Sequence, residues 1–238
     1  MKFELPNINF ELPKLDVPKI DESSMMQVLD WAYDTTINGI PGQKTIQELA
    51  DDYLRYDDVD TAISKMITFQ TSKAALSGFI TGFGGILTLP VTIPANITSV
   101  ILVQMRMIAT IAYMRGYDLK SDQVQTFVYA ALTGTTVADI AKKAGIVVAE
   151  KLAQGMIKKV PGEVLKKINQ ALGFRLVTKF GEKGVVNLGK MIPVAGALIG
   201  AGVDTVSTQV IANHALNVFT PNGINLGDDL IIDISEIQ

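Results

Sequence analysis

Read from the N-terminus, the pattern of apolar and polar positions divides the chain into an extended arm followed by a series of helices. Residues 1–21 carry a short internal repeat, FELPNIN, then FELPKLD, then VPKID. Pro6, Pro13 and Pro18 exclude a helix there, because proline lacks the amide donor and restricts the residue before it. Phe3, Leu5, Ile8, Phe10, Leu12, Leu15 and Val17 keep the arm apolar, so it must pack on something. That something is its own domain or, by exchange, a second protomer, which would make a homo-oligomer.

From Asp21 the spacing turns helical. Ser23 or Ser24 is placed to cap a helix running to about Asn38, and IPG at 40–42 breaks it. A second helix is expected from about Thr45 to Tyr56. A third follows the acidic cluster Asp57, Asp58 and Asp60 and continues through Lys73. Acidic side chains in a first turn complement the helix dipole, so the cluster reads as a helix start rather than a metal site.

The longest uncharged run comes next: Ala74 to Met105, 32 residues between Lys73 and Arg106. Residues 74–87 continue an apolar, glycine-dotted helix. Pro90 and Pro94 turn the chain within LPVTIPAN, and a second apolar helix occupies about 94–115, with Gly116 as its C-cap. This second helix is apolar on nearly every side, which places it deep in a core or in lipid. Length does not decide between them. A simple span needs about 20 apolar residues. The first arm, Ala74 to Leu89, has 16 residues with four glycines, and the second contains Arg106. A buried hairpin, a hairpin dipping into the membrane and two spans all stay open. Gly82, Gly84, Gly85, Leu87, Pro90 and Pro94 are the candidate lipid contacts.

After an apolar helix at 122–133, the stretch 142–190 is amphipathic and basic. Lys142, Lys143, Lys151, Lys158, Lys159, Lys166 and Lys167 recur between apolar positions, and Arg175, Lys179 and Lys183 follow. Pro161–Gly162 breaks the stretch into two helices. A last helix starts at Pro193 with small residues on one side and ends near Phe219. The closing GDDLIIDISEIQ alternates in part and reads as an extended tail or short strand, with the N-terminal arm as a candidate partner. The fold class is therefore all-α, a multi-helix bundle around a Gly/Pro-rich apolar hairpin. Residues 1–21 form the arm, 22–220 a single helical domain and 221–238 an acidic tail.

Charge sharpens this picture. Among 238 residues the net charge is only −3, but it is segregated. Residues 1–73 carry −6, residues 106–190 carry +8, and residues 191–238 have five acids and no base. A contiguous basic block can present a basic face, here to an anionic membrane surface. Nucleic acid is not the expected partner, because no reader motif accompanies the lysines. The start of the chain has no basic segment followed by an apolar core, so a secretory signal is not expected and the cytoplasmic side is.

Candidate chemistry is sparse. There is no cysteine, which removes thiolate catalysis, disulfides and zinc–cysteine sites. His214 is the single histidine; it reads as a structural, hydrogen-bonded residue rather than a base. Asp204 lies ten positions earlier and so on a different helix face. Asp204 and Arg106 each stand alone in an apolar helix, and a buried pair between them is the expectation, since a lone buried charge is costly. GFGGIL lacks the GK[ST] of a phosphate loop. No catalytic residue, metal site or cofactor is assigned.

The order of these segments resembles the EcsC family of bacterial proteins. The resemblance lies in the Gly-rich apolar helix, LPVTIPAN, the helix closing on IAYMRGYD, and the late KMIPVAGALIGAGVDTV, over roughly residues 60–220. It implies a helical, membrane-related protein associated with an ABC transporter, and brings no catalytic residues. The expected function is a non-enzymatic accessory protein on the cytoplasmic membrane face, with an anionic surface or a membrane protein as partner. The alternative is a soluble helical protein holding a lipid in its core. An enzyme working through His214 is the third reading.

Overall fold

A computed structural model describes residues 20–40, 42–55, 57–75, 95–143, 145, 160–180, 199–227 and 230–233. Within these ranges the side chains at 73–75, 95–96, 141, 143, 199–206 and 230 are outside the description. The glycine-rich half of the hairpin and the N-terminal arm therefore lie outside the described residues.

Eight helices and three short strands are described. They are α1 (Glu22–Asn38), α2 (Ile46–Leu54), α3 (Val59–Ala75), α4 (Ala95–Met114), α5 (Asp122–Thr133), α6 (Val137–Lys143), α7 (Gly162–Phe180) and α8 (Ile199–Val218). The strands are β1 (Phe219–Thr220), β2 (Gly223–Gly227) and β3 (Leu230–Asp233). The all-α reading holds, with a small sheet added at the C-terminal end.

Local chemistry sets the helix ends. Asp21, not a serine, caps α1: its carboxylate accepts from the Ser24 amide at 2.7 Å. Thr45 and Glu48 form a reciprocal capping box at the start of α2, satisfying two amides that the helix leaves open. Asp58 accepts from the amides of Asp60 and Thr61, so the acidic cluster does open a helix. Its neighbours are paired separately, Asp57 with Lys65 and Asp60 with Arg115. At the end of α4, Gly116 takes φ +85° and the Tyr117 amide reaches back to the Ala112 carbonyl. A glycine fits that left-handed cap without a Cβ penalty.

Packing follows apolar periodicity. In α1, Met25, Val28, Leu29, Ala32 and Tyr33 are buried at three- and four-residue spacing, a stripe facing one side. α4 differs, because its Ile97–Met114 stretch is 83% buried by the rest of the protein. With mean hydropathy 1.6 it is the one described helix long and apolar enough to cross a membrane by length and composition. Here it is the central rod, in contact with α1, α2, α3, α5 and α8. α7 lies outside, packed on α1, α5 and α6.

Buried tyrosines cross-link these layers. The Tyr33 hydroxyl donates to the Leu119 carbonyl and the Tyr129 hydroxyl donates to Asp30. Their rings meet edge to face at 5.8 Å. The Tyr117 hydroxyl donates to the Thr220 carbonyl, and its ring packs on Phe219 at 5.1 Å, tying α4 to the sheet. Burial holds the Tyr33 and Tyr129 hydroxyls well above the ordinary tyrosine range and pushes Tyr117 up to about 12.

The sheet runs β1-β2-β3, antiparallel throughout. It begins at Phe219, inside the segment expected to be helical. Pro221–Asn222 makes the first turn, and β3 pairs with β2. The expected extended segment at the C-terminus is thus the third strand of a local meander.

Two outcomes follow. Because the fold favours neutral tyrosines, stability is lost as pH rises past the unfolded value of about 10. Tyr33, Tyr117 and Tyr129 should ionise only as the protein unfolds, read from phenolate absorbance beside circular dichroism; full tyrosine titration in the folded protein would contradict this. The second concerns Gly223, at φ +152°, where an added Cβ would lie 2.0 Å from the Ile232 carbonyl oxygen. Gly223→Ala should cost about 2–4 kcal/mol in urea denaturation, with amide protection in β2 and β3 lost first.

Candidate functional site

α7 opens after Pro161, which cannot continue a preceding helix. It buries Leu165, Ile168, Leu172, Leu176 and Phe180. Gly173 sits against α1, where an added Cβ would meet the Met26 sulfur at 3.0 Å, so this glycine sets how closely the two helices approach. The opposite face of α7 carries Lys166, Lys167, Gln170, Phe174 and Thr178, all exposed. Phe174 is 67% exposed, the most exposed large apolar side chain described. It lies one residue from Arg175 and two turns from Lys166 and Lys167.

Glu163 is exposed on the same face, one turn before Lys166 and Lys167, but no described ion pair joins it to them. The three described ion pairs all use acids of the N-terminal third: Lys44–Asp52, Lys65–Asp57 and Arg115–Asp60. Among the described residues none of the α7 cations is in an ion pair. Lys142 is exposed on α6, which packs against α7. Lys143 has its backbone in α6 and its side chain outside the description. Lys151, Lys158 and Lys159 fall outside the described residues, as do Gly82, Gly84, Gly85, Leu87, Pro90 and Pro94.

Lys167, Gln170, Phe174 and Thr178 of the α7 face also line a cleft of about 1230 Å³, between α7, the first residue of α1 and the turn joining α5 to α6. Gly134 ends α5 in a left-handed conformation, φ +72°. Thr135 follows, 8% exposed, with its amide donating to the Thr133 hydroxyl and its own hydroxyl without a partner. From the α7 side come Lys167, Arg175 and Lys179, and from α1 comes Glu22. Ile140, Ala171 and Phe174 make an apolar wall.

Lys179 corrects the expectation of an exposed basic strip. Its ammonium turns inward, donates to the Leu132 carbonyl at 2.7 Å and lies 5.3 Å from the Phe180 ring centre. A cation at the C-terminal end of α5 is favourably placed against the helix dipole. Burial and the nearby Arg175 charge lower its pKa to about 8. His214, on α8, packs against Gly134: an added Cβ there would lie 3.5 Å from the imidazole Cδ2. Burial, then the Lys179 charge, lower the histidine pKa. No described residue hydrogen-bonds the imidazole, so the hydrogen-bonded role expected for His214 is replaced by packing.

Arg106 is 6% exposed and donates to the Lys44 carbonyl in the α1–α2 connection. Its Nη1 has no partner, and burial lowers its pKa. The backbone of Asp204 lies in α8, and its side chain is outside the described residues, so the expected pair with Arg106 falls there too. What sequence reading missed is the grouping of Thr135, Arg175, Lys179 and His214. They come from two helices, α7 and α8, and one turn. Only the TGTT sequence at 133–136, small and polar after an apolar helix, hinted at a turn.

A family model described as the EcsC protein family matches residues 19–221. The match takes in α1 and α2 as well as the later segments on which the resemblance rested. No curated protein and no solved structure matches the chain.

The Lys179 environment has a measurable consequence. Folding disfavours its protonated form, so the cost is fully present below about pH 8 and disappears toward the ordinary lysine value of about 10.4. Stability should rise from pH 7 to pH 9 in the parent protein. In Lys179→Met that rise should flatten in urea denaturation at the two pH values; an unchanged slope would show that Lys179 titrates as an ordinary lysine.

Proposed function

We propose, for a chain that belongs to the EcsC protein family, a non-enzymatic accessory role at the cytoplasmic face of a membrane. The protein attaches peripherally through the outer face of α7. Its partner is the anionic lipid surface, and through that surface a membrane protein of the transporter type that the family resemblance implies. The observation that carries the reading is Phe174, 67% exposed on a helix face shared with Lys166, Lys167 and the neighbouring Arg175.

The physical reasons are additive. A Lys or Arg held near an anionic bilayer contributes about 1 kcal/mol, and burying a phenylalanine ring in the acyl boundary contributes roughly 1.5–3 kcal/mol. Three cations and one ring, less the opposing charge of Glu163, give roughly 4 kcal/mol, enough for reversible attachment and far short of insertion. The central helix α4 plays no part in this, since the bundle already covers it. The alternative, a lipid enclosed between the 74–115 hairpin and the last helix, draws no comparable support from the described side chains.

Sedimentation with vesicles tests the proposal. Binding should require phosphatidylglycerol or another anionic lipid in a phosphatidylcholine background and weaken as salt is raised. Charge reversal in Lys166→Glu/Lys167→Glu should weaken it at least about tenfold, and Phe174→Ser should weaken it at fixed charge. Binding that ignores lipid charge, or survives both variants, overturns the proposal.

A further inference from the structure

Attachment through the outer face of α7 does not explain the cleft that this face borders. Peripheral binding needs exposed cations, yet Lys179 is turned inward and Thr135 is nine-tenths buried with its hydroxyl unpartnered. Capping of α5 accounts for one of the three Lys179 N–H groups, the one on Leu132. It leaves two Lys179 donors and the Arg175 guanidinium on residues that line one cleft, with the Thr135 hydroxyl buried and unpartnered in its wall. An unmatched buried donor costs more than an exposed one, so such a set is expected where a ligand supplies acceptors.

We propose that this cleft binds a phosphate group, carried by a small soluble phosphoester or by a lipid head group. Phosphate offers three or more acceptor oxygens in a tetrahedral array. That suits the several donors that Lys179 and Arg175 bring to the cleft better than a two-oxygen carboxylate does. Arginine and lysine both recognise phosphate, the first by paired N–H groups and the second as a point charge. Glu22 on the opposite wall is the one carboxylate among the described lining residues, and it disfavours a phosphate placed at that end. The cleft, about 1230 Å³, is much larger than a phosphate. Its apolar wall of Ile140, Ala171 and Phe174 leaves room for the organic part of the ligand. His214 backs Lys179 without competing for the anion, because burial and the lysine charge both disfavour its protonation.

The lipid-borne form rests on the attachment proposed above; the soluble form does not. The experiment uses the full chain in two arms. Calorimetry measures binding of glycerol 3-phosphate. Sedimentation compares phosphatidylcholine vesicles carrying phosphatidic acid with vesicles carrying oleate at equal surface charge. Glycerol 3-phosphate binding that falls about tenfold in Thr135→Val and in Arg175→Gln assigns a soluble phosphoester. A preference for phosphatidic acid over oleate, erased by the same variants, assigns a head group. Absence of both, or affinities that the cleft variants leave unchanged, overturns the proposal. Lys166→Glu weakens both vesicle types equally, so loss of attachment is told apart from loss of the phosphate site. Should a variant fail to fold, the parent protein still gives an answer. Acylation of Lys179, followed by peptide mass spectrometry, should slow several-fold with glycerol 3-phosphate or phosphatidic acid vesicles relative to Lys166; equal rates overturn it.

Discussion

A helix that is apolar on every side can be stable in water only if other helices surround it, and α4 imposes that condition on the whole structure. Its residues from Ile101 to Ala112 are buried apart from Val103, which is partly so. Among the described residues, five helices pack on it. Arg106 is the one charged residue of this stretch, buried beside the polar Gln104 and Thr110, and its bond to the Lys44 carbonyl requires the α1–α2 connection to close over that point. The caps at Asp21 and Thr45 fix the helices on either side of this connection, so local hydrogen bonds and the central burial support one another. Agreement of local and global preferences is what makes a sequence specify one packing.

Enclosing α4 pushes charge to the periphery and sorts it. The acids of α2 and α3 meet cations from their own neighbourhood and from Arg115. No described ion pair joins a cation of α7 to an acid, although Glu163 stands at its start, Glu22 across the cleft and Asp139 on the helix packed against it. Within α7, Lys166, Lys167, Arg175 and Lys179 outnumber Glu163, so the helix itself is net positive. Gly173 belongs to the same arrangement. By letting α1 and α7 approach closely, it brings the start of α1 to the mouth of the cleft.

Much of the fold was legible because several helices announced their ends. The break after Asn38, the Gly116 cap and the Pro161 break use residues whose conformational limits are visible in sequence, whereas the Asp21 cap and the Thr45–Glu48 capping box were not read there. The local meander was less so. Pro221–Asn222–Gly223 is a turn signal, but the acidic residues after it drew the reading toward a tail. The site was least legible, for a specific reason. Periodicity places Lys179 on a helix face but says nothing of the depth at which its ammonium ends. That depth is set by the Leu132 carbonyl, 47 residues away in sequence. Thr135 likewise gains meaning only when α7 is folded against its turn.

The two proposed roles of α7 act over different distances, which is why one helix can serve both. Exposed lysines attract an anionic surface across roughly a Debye length, about 8 Å at physiological salt, and lose force as salt rises. Buried or partly buried charges are screened much less. Lys179, already stripped of much of its water, and the Thr135 hydroxyl have given up solvent on folding, so contact with an acceptor costs them little further desolvation. The outer face would then supply approach and orientation, and the cleft discrimination among the anions that approach brings near. Geometry favours this order, since Phe174 borders both the exposed face and the cleft wall. A ring entering the acyl boundary there would carry the cleft mouth to head-group depth.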